Sequence, residues 1–67
     1  MAVLMSRMGN YVEKVGTRYS FIDEIGMTHS MDSLFVHESI RDNLTPNHKV
    51  WMEYRSDKLW YATPRTH

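Results

Sequence analysis

Cysteine is absent from this chain of 67 residues. Without thiols, neither a disulfide nor a thiolate metal site can supplement the core of so small a domain. The absence of cysteine permits a reducing compartment without proving one. We expect a cytoplasmic protein, with the nucleus as the alternative location.

Long apolar runs are missing as well. No stretch approaches the roughly 20 residues that a membrane-spanning helix requires, and residues 1–8 lack the basic leading region of a signal peptide. We therefore expect no membrane association. A chain of 67 residues allows one small domain. We assign that domain to residues 9–64, between flexible tails at residues 1–8 and 65–67.

The chain also has no excess of charge of either sign. Eight Lys and Arg residues balance eight Asp and Glu residues, so the formal net charge is zero. Binding through phosphates usually appears as a basic excess. If the chain binds nucleic acid, stacking on aromatic residues, which form 12% of the sequence, must contribute more affinity than charge does.

The sequence offers little for catalysis or metal binding. No glycine-rich phosphate loop is present. The four histidines, at positions 29, 37, 48 and 67, show no recognised metal-ligand spacing. We therefore expect a protein that is not an enzyme and that binds no metal and no cofactor.

The hydrophobic pattern has a period of two rather than 3.6, which favours β-strands. Turn-forming residues separate the alternating segments. The pattern predicts five short strands at residues 11–15, 18–23, 34–37, 49–54 and 59–63. It also predicts a loop at 26–33 and a 3₁₀ turn at 38–42. Closure into a small all-β barrel is favoured because it removes exposed sheet edges. OB-type and SH3-like barrels both stay open at this point.

In two of the predicted strands, ring side chains lie two residues apart and therefore project from the same face. They are Tyr19 and Phe21 in the second strand, and Phe35 and His37 in the third. If the aliphatic residues between them fill the barrel, the four rings form a contiguous outer surface. Such exposed apolar surfaces usually mark a binding site. Stacking one base on a ring is worth about 1–3 kcal/mol.

These segments resemble the cold-shock domain family. Tyr19-Ser20-Phe21-Ile22 is similar to the end of its lysine-glycine-aromatic-glycine-phenylalanine-isoleucine motif. Leu34-Phe35-Val36-His37-Glu38-Ser39-Ile40 resembles its valine-phenylalanine-valine-histidine-phenylalanine-serine-x-isoleucine motif, departing at the first and fifth positions. Residues 44–53 are similar to the family's leucine, turn and fourth strand, and Ala62 to its fifth-strand alanine. The resemblance spans residues 9–63.

The resemblance implies a five-stranded, antiparallel OB-type barrel that binds single-stranded RNA, or less favourably DNA, without chemistry. Single strands are the implied target because only unstacked bases offer a free face to a ring. The bases would stack on Tyr19, Phe21, Phe35 and His37. The phosphates would contact Lys14, Arg18 and Lys58.

Two alternatives stay open. The strand faces could be reversed, which would place Tyr19 and Phe21 in the core. The same fold could also serve as a protein-interaction module, with its aromatic face as the contact surface for a partner chain. Zero net charge favours this second alternative. It is also favoured by Glu38, which stands where the cold-shock family has a third stacking phenylalanine.

Overall fold

The structure of the chain, a computed structural model, describes residues 2–64. The elements in this range are five strands, one 3₁₀ turn and one short α-helix. In chain order they are β1 (Val3–Val15), β2 (Arg18–Asp23), β3 (Thr28–Asp32), a 3₁₀ turn (Ser33–Phe35), α1 (Glu38–Arg41), β4 (Lys49–Arg55) and β5 (Trp60–Thr63).

The five strands form one antiparallel sheet in the order β3-β2-β1-β4-β5. The sheet curls, so that its two edges approach each other. A parallel bridge between Val36, which follows β3, and Ala62 on β5 joins them. We call the line along which these edges meet the seam. The chain is therefore an all-β half-barrel, and the prediction of a five-stranded all-β fold is confirmed.

β1 is the central strand and pairs with β4 along its first half and β2 along its second. Gly9 lies where the two pairings overlap. A Cβ atom at Gly9 would lie only 2.6 Å from Cε of Met52, so the missing side chain gives that methionine room. The register then shifts between Tyr11 and Glu13. Such a β-bulge bends the strand, which helps the sheet to curl.

The core fills the concave face of the sheet. Aromatic rings contribute much of it, because Tyr11 packs with its ring centroid 6.3 Å from that of Tyr19 and 5.8 Å from that of Phe21. The buried apolar residues come from β2 to β5 and from the β3–β4 connection. They are Tyr19, Phe21, Met31, Val36, Ile40, Val50, Met52 and Ala62.

The connection from β3 to β4 covers one end of the half-barrel. Val36 and Ile40 are buried there, and Leu44 packs against the core. Arg41 fixes the path of the connection by donating from Nε to the carbonyl of Val36 at 2.8 Å. The opposite end, where β2 and β4 finish, has no such cover among residues 2–64, and we call it the open end.

The third strand was predicted at the wrong residues. Residues 34–37 form the end of the 3₁₀ turn and its exit, and β3 lies in the segment predicted as a loop. The alternation in β3 is real, because His29 and Met31 are buried whereas Thr28 and Ser30 are exposed. The sequence did not predict this strand because its inner face carries histidine and methionine rather than β-branched residues, although it pairs with β2 along its whole length.

The predicted tail at residues 1–8 needs a correction too. From Val3 onward these residues belong to β1 and pair with β4 as far as Arg55. The start of β1 shows no alternation in the sequence, because Val3, Leu4 and Met5 are apolar in succession, and all three are exposed. The predicted tail at residues 65–67 lies outside the described residues.

Between residues 2 and 64, no helix combines the length and apolar character needed to cross a membrane.

Candidate nucleic-acid interface

A cleft of about 230 Å³ lies along the seam. It brings together three residues that the sequence predicted as nucleic-acid contacts, Arg18, Phe35 and Lys58. They come from β2, the 3₁₀ turn and the β4–β5 hairpin, so only the curling of the sheet makes them neighbours. We call this the seam cleft. Its remaining lining residues are Ser30, Met31, Asp32, Leu59 and Trp60.

Arg18 opens β2, directly after the tight turn that begins at Gly16, whose φ is +61°. Its guanidinium lies across β3 and donates twice to Ser30, from Nε to Oγ at 3.1 Å and from Nη2 to the carbonyl oxygen at 3.0 Å. A guanidinium has five N–H donors. These two bonds therefore orient Arg18 at the cleft and leave donors for a ligand.

Phe35 is half-buried at the end of the 3₁₀ turn. Asp32 starts this turn by accepting a hydrogen bond from the backbone N–H of Leu34 at 3.1 Å. The ring of Phe35 packs edge-on against Tyr61, with centroids 5.4 Å apart. The guanidinium of Arg55 lies 4.0 Å above the same tyrosine ring. The seam therefore carries a small aromatic surface with a cation stacked on it.

Lys58 lies at the tip of the β4–β5 hairpin in a left-handed backbone conformation, with φ at +65°. Its N–H donates to the carbonyl of Arg55 at 2.8 Å. The side chain of Asp57 accepts the N–H of Leu59 at 3.1 Å, which closes the hairpin. The turn therefore places Lys58 at the edge of the cleft, with its side chain exposed.

The charges at the cleft are mixed. Asp32 also lines it, and the backbone N–H of Leu34, with help from Thr17 and Ser33, lowers the pKa of its carboxyl group. Asp32 is therefore ionised at neutral pH and partly offsets the positive charges of Arg18 and Lys58. The small local excess of positive charge agrees with an interface in which rings matter more than phosphate contacts.

Tyr19 and Phe21 do not form the exposed surface that the sequence predicted. Tyr19 is 2% exposed and Phe21 is 0% exposed, whereas Ile22 is 40% exposed and Leu34 is 78% exposed. The strand faces are reversed, because two large rings bury more apolar area in the concave face than the shorter side chains could. The alternative that placed both rings in the core is therefore the one the structure supports.

Two other predicted contacts lie away from the cleft. Lys14 is exposed on β1, and its ammonium group lies 5.2 Å from the centroid of the Tyr19 ring. His37 is exposed and caps α1, where its Nδ1 accepts the N–H of Ser39 at 3.1 Å. The structure therefore gathers three of the seven predicted contact residues and separates the other four.

Sequence reasoning missed Trp60 and Tyr61 as surface residues of the seam. Trp60 is half-buried and packs against the core, and it also lines the cleft. The phenol of Tyr61 donates to Asp57, and this hydrogen bond raises the pKa of Tyr61. The alternation on β5 placed these two rings on opposite faces, but it could not reveal that both faces border the seam.

The open end holds a second, larger cavity of about 470 Å³. At its base, Nε2 of His29 lies 2.8 Å from Oδ2 of Asp23. The other carboxylate oxygen accepts the backbone N–H groups of Ile25 and Met27 at 3.0 and 2.9 Å. The bond with His29 and these backbone bonds lower the pKa of Asp23. Among residues 2–64, no group of three or more potential ligands is arranged to hold a metal ion.

Comparison with known proteins gives no family for this chain: no protein-family model matches it, and neither a curated protein nor a solved structure matches it. The resemblance to cold-shock domains therefore rests on the sequence motifs alone and stays a prediction.

Proposed function

We propose that the protein is an OB-type module that binds single-stranded nucleic acid, preferably RNA, in the seam cleft. The observation that carries the proposal is the convergence of Arg18, Phe35 and Lys58 at one cleft beside Trp60. Rings for stacking and cations for phosphates are the two components of a single-strand site.

The topology supports the OB-type assignment. The order β3-β2-β1-β4-β5, with one parallel bridge from Val36 to β5, is compatible with a five-stranded partly open Greek-key barrel. OB-folds bind oligonucleotides on the face of strands 2 and 3 and at the loops between strands 1 and 2 and between strands 4 and 5. The seam cleft is bordered by those parts of this chain, with Arg18 after the first loop, Ser30 on β3 and Lys58 in the last loop.

The mechanism is equilibrium binding without chemistry. A base would stack on the half-buried ring of Phe35 at the seam. The backbone of the strand would run past the guanidinium of Arg18 and the ammonium of Lys58. Arg18 and Lys58 are the two cations that line the cleft, and Asp32 beside them repels phosphate, so two ionic contacts are expected.

The test is titration of a fluorescently labelled oligo-uridine against the protein at low salt. Each base stacked on a ring contributes about 1–3 kcal/mol, so Phe35→Ala is expected to weaken binding about 5- to 150-fold. Lys14→Gln is the matched control, because Lys14 lies over Tyr19 and away from the cleft. Circular dichroism of both variants verifies the fold. Unchanged affinity in a folded Phe35→Ala variant would refute the proposal.

The salt dependence gives a second measurement. For single strands the slope of log K against log salt is about −0.7 per neutralised phosphate, so two cations predict about −1.4. Lys58→Asn removes one charge and keeps a residue that tolerates positive φ. This variant is expected to halve the slope. A slope well beyond −1.4 in the unmodified protein would show that other cations bind the strand.

A protein partner is the second candidate function. The surface first predicted for it included Tyr19 and Phe21, and both lie in the core. Of that surface, the half-buried ring of Phe35 is left at the seam, where it packs edge-on against Tyr61. If oligo-uridine leaves the amide chemical shifts of β3 and β5 unchanged, the protein-interaction function gains over the nucleic-acid one.

A further inference from the structure

The cavity at the open end has the properties of a small-molecule site, separate from the seam cleft. Its volume of about 470 Å³ lies within the range of about 300–1,000 Å³ typical of ligand pockets. Its walls are mostly apolar, with Met5 from β1, Ile25 and Met27 from the β2–β3 turn, and the rings of Tyr54 and Trp60.

The cavity contains one cation that other residues do not neutralise. Arg7 is half-buried on β1 and lines the cavity. Its guanidinium makes no hydrogen bond, ion pair or ring contact with another residue in the described range 2–64. A guanidinium beside apolar walls is well placed to bind an anion, because its paired N–H donors match the two oxygens of a carboxylate.

The nearby carboxylate does not serve as that partner. Both oxygens of Asp23 are occupied, one by His29 and the other by two backbone N–H groups. His29 is in turn held edge-on against the ring of Trp60, with centroids 4.7 Å apart. Asp23 therefore makes its hydrogen bonds within the wall and forms no ion pair with Arg7, which leaves the guanidinium of Arg7 available to a ligand.

The walls favour a flat aromatic body for the ligand. The ring centroids of Tyr54 and Trp60 lie 5.3 Å apart, and the ring planes are tilted by 46°. Because the two rings do not stack flat on each other, part of their faces is left to contact a ligand. Methionine side chains such as Met5 and Met27 adapt to ligand shape and contact aromatic rings favourably.

We propose that the open-end cavity binds a small planar aromatic compound carrying one carboxylate group, with the carboxylate on Arg7 and the ring against Tyr54 and Trp60. The site would act independently of nucleic-acid binding in the seam cleft, although Trp60 borders both cavities.

The test uses naphthalene-2-carboxylate as the probe and the uncharged naphthalene-2-methanol as its matched control. Binding is followed by NMR on the protein labelled at its methionine methyl groups. The methyl signals of Met5 and Met27 are expected to shift on addition of the carboxylate. Met31 serves as the internal reference because it lines the seam cleft instead. The alcohol is expected to bind at least tenfold more weakly.

An arginine pair completes the design. Arg7→Gln is expected to weaken carboxylate binding about tenfold or more, because a charge-assisted hydrogen bond is lost. Arg55→Gln is the control, because that guanidinium is already bonded to Glu53 at 2.9 Å. Equal binding of the alcohol and the carboxylate would overturn the proposal, even if Arg7→Gln failed to fold. Tighter binding of adenosine monophosphate, read from the same Met5 and Met27 methyl signals, would also overturn it, since the anion in the open-end cavity would then be a phosphate.

Discussion

The direction in which β2 faces can be tested by substituting adjacent residues. Phe21 is fully buried between β1 and β3, while Ile22 is 40% exposed on the convex face. Truncating a buried Phe to Ala costs about 3–5 kcal/mol. The free energy of unfolding of the whole domain is only about 3–10 kcal/mol, at about 0.05–0.15 kcal/mol for each of its 67 residues. Phe21→Ala could therefore unfold the domain entirely, whereas the smaller loss of stability from Phe21→Leu can be measured.

Phe21→Leu leaves a smaller void and is expected to cost about 1–2 kcal/mol. With a urea m-value of about 1 kcal/mol per molar, the unfolding midpoint should fall by about 1–2 M. The control, Ile22→Thr, keeps a β-branched residue and is expected to change the free energy of unfolding by no more than about 0.5 kcal/mol. A larger loss from Ile22→Thr than from Phe21→Leu would refute the orientation of β2 described here.

Three further predictions concern stability and titration. Gly9→Ala is expected to lower the urea midpoint by no more than about 1 M, because the atom nearest to the new Cβ is Cε of Met52, the end of a flexible side chain that can move aside; a larger fall would show that Met52 cannot move. The hydrogen bond with His29 lowers the pKa of Asp23, so this carboxylate stabilises the fold above about pH 4 and the stabilisation is lost as the pH falls through the lowered pKa. Asp23→Asn should therefore make the urea midpoint fall less steeply as the pH is lowered below about 4. An unchanged pH dependence in this range would exclude this role of Asp23. The hydrogen bond to Asp57 raises the pKa of Tyr61, so Asp57→Asn should move the phenolate absorbance titration to lower pH, whereas no movement would show that the two groups do not interact.

Much of the fold could be predicted from local pattern. The strand at residues 18–23 was predicted with the bounds the structure gives it, and those at 49–54 and 59–63 differ by one residue at one end. These segments combine strong alternation with clear turn residues at their ends, and the β4–β5 hairpin at Lys58 lay where the turn signal placed it. Short-range signals of this kind depend on neighbouring residues alone, which is why they can be read without a tertiary structure.

The third strand shows where local pattern was insufficient. His29 and Met31 face the core of β3, although neither residue type signals a strand strongly. His29 can be buried because Asp23, six residues earlier on the paired strand, accepts its hydrogen bond. The more aliphatic residues 34–37 instead form the end of the 3₁₀ turn and a single bridge from Val36 to Ala62, after which the chain crosses one end of the half-barrel.

By itself, then, the sequence determined that the protein is a small all-β domain of five strands, because alternation and turn residues act over a few positions. It also supplied Arg18, Phe35 and Lys58 as candidate contacts. Only the tertiary structure decided which face of β2 lies inside, since either face carries apolar side chains and the choice depends on the volume enclosed by the curled sheet. The curl likewise brings both edges to the seam, where residues 18, 35 and 58 become neighbours.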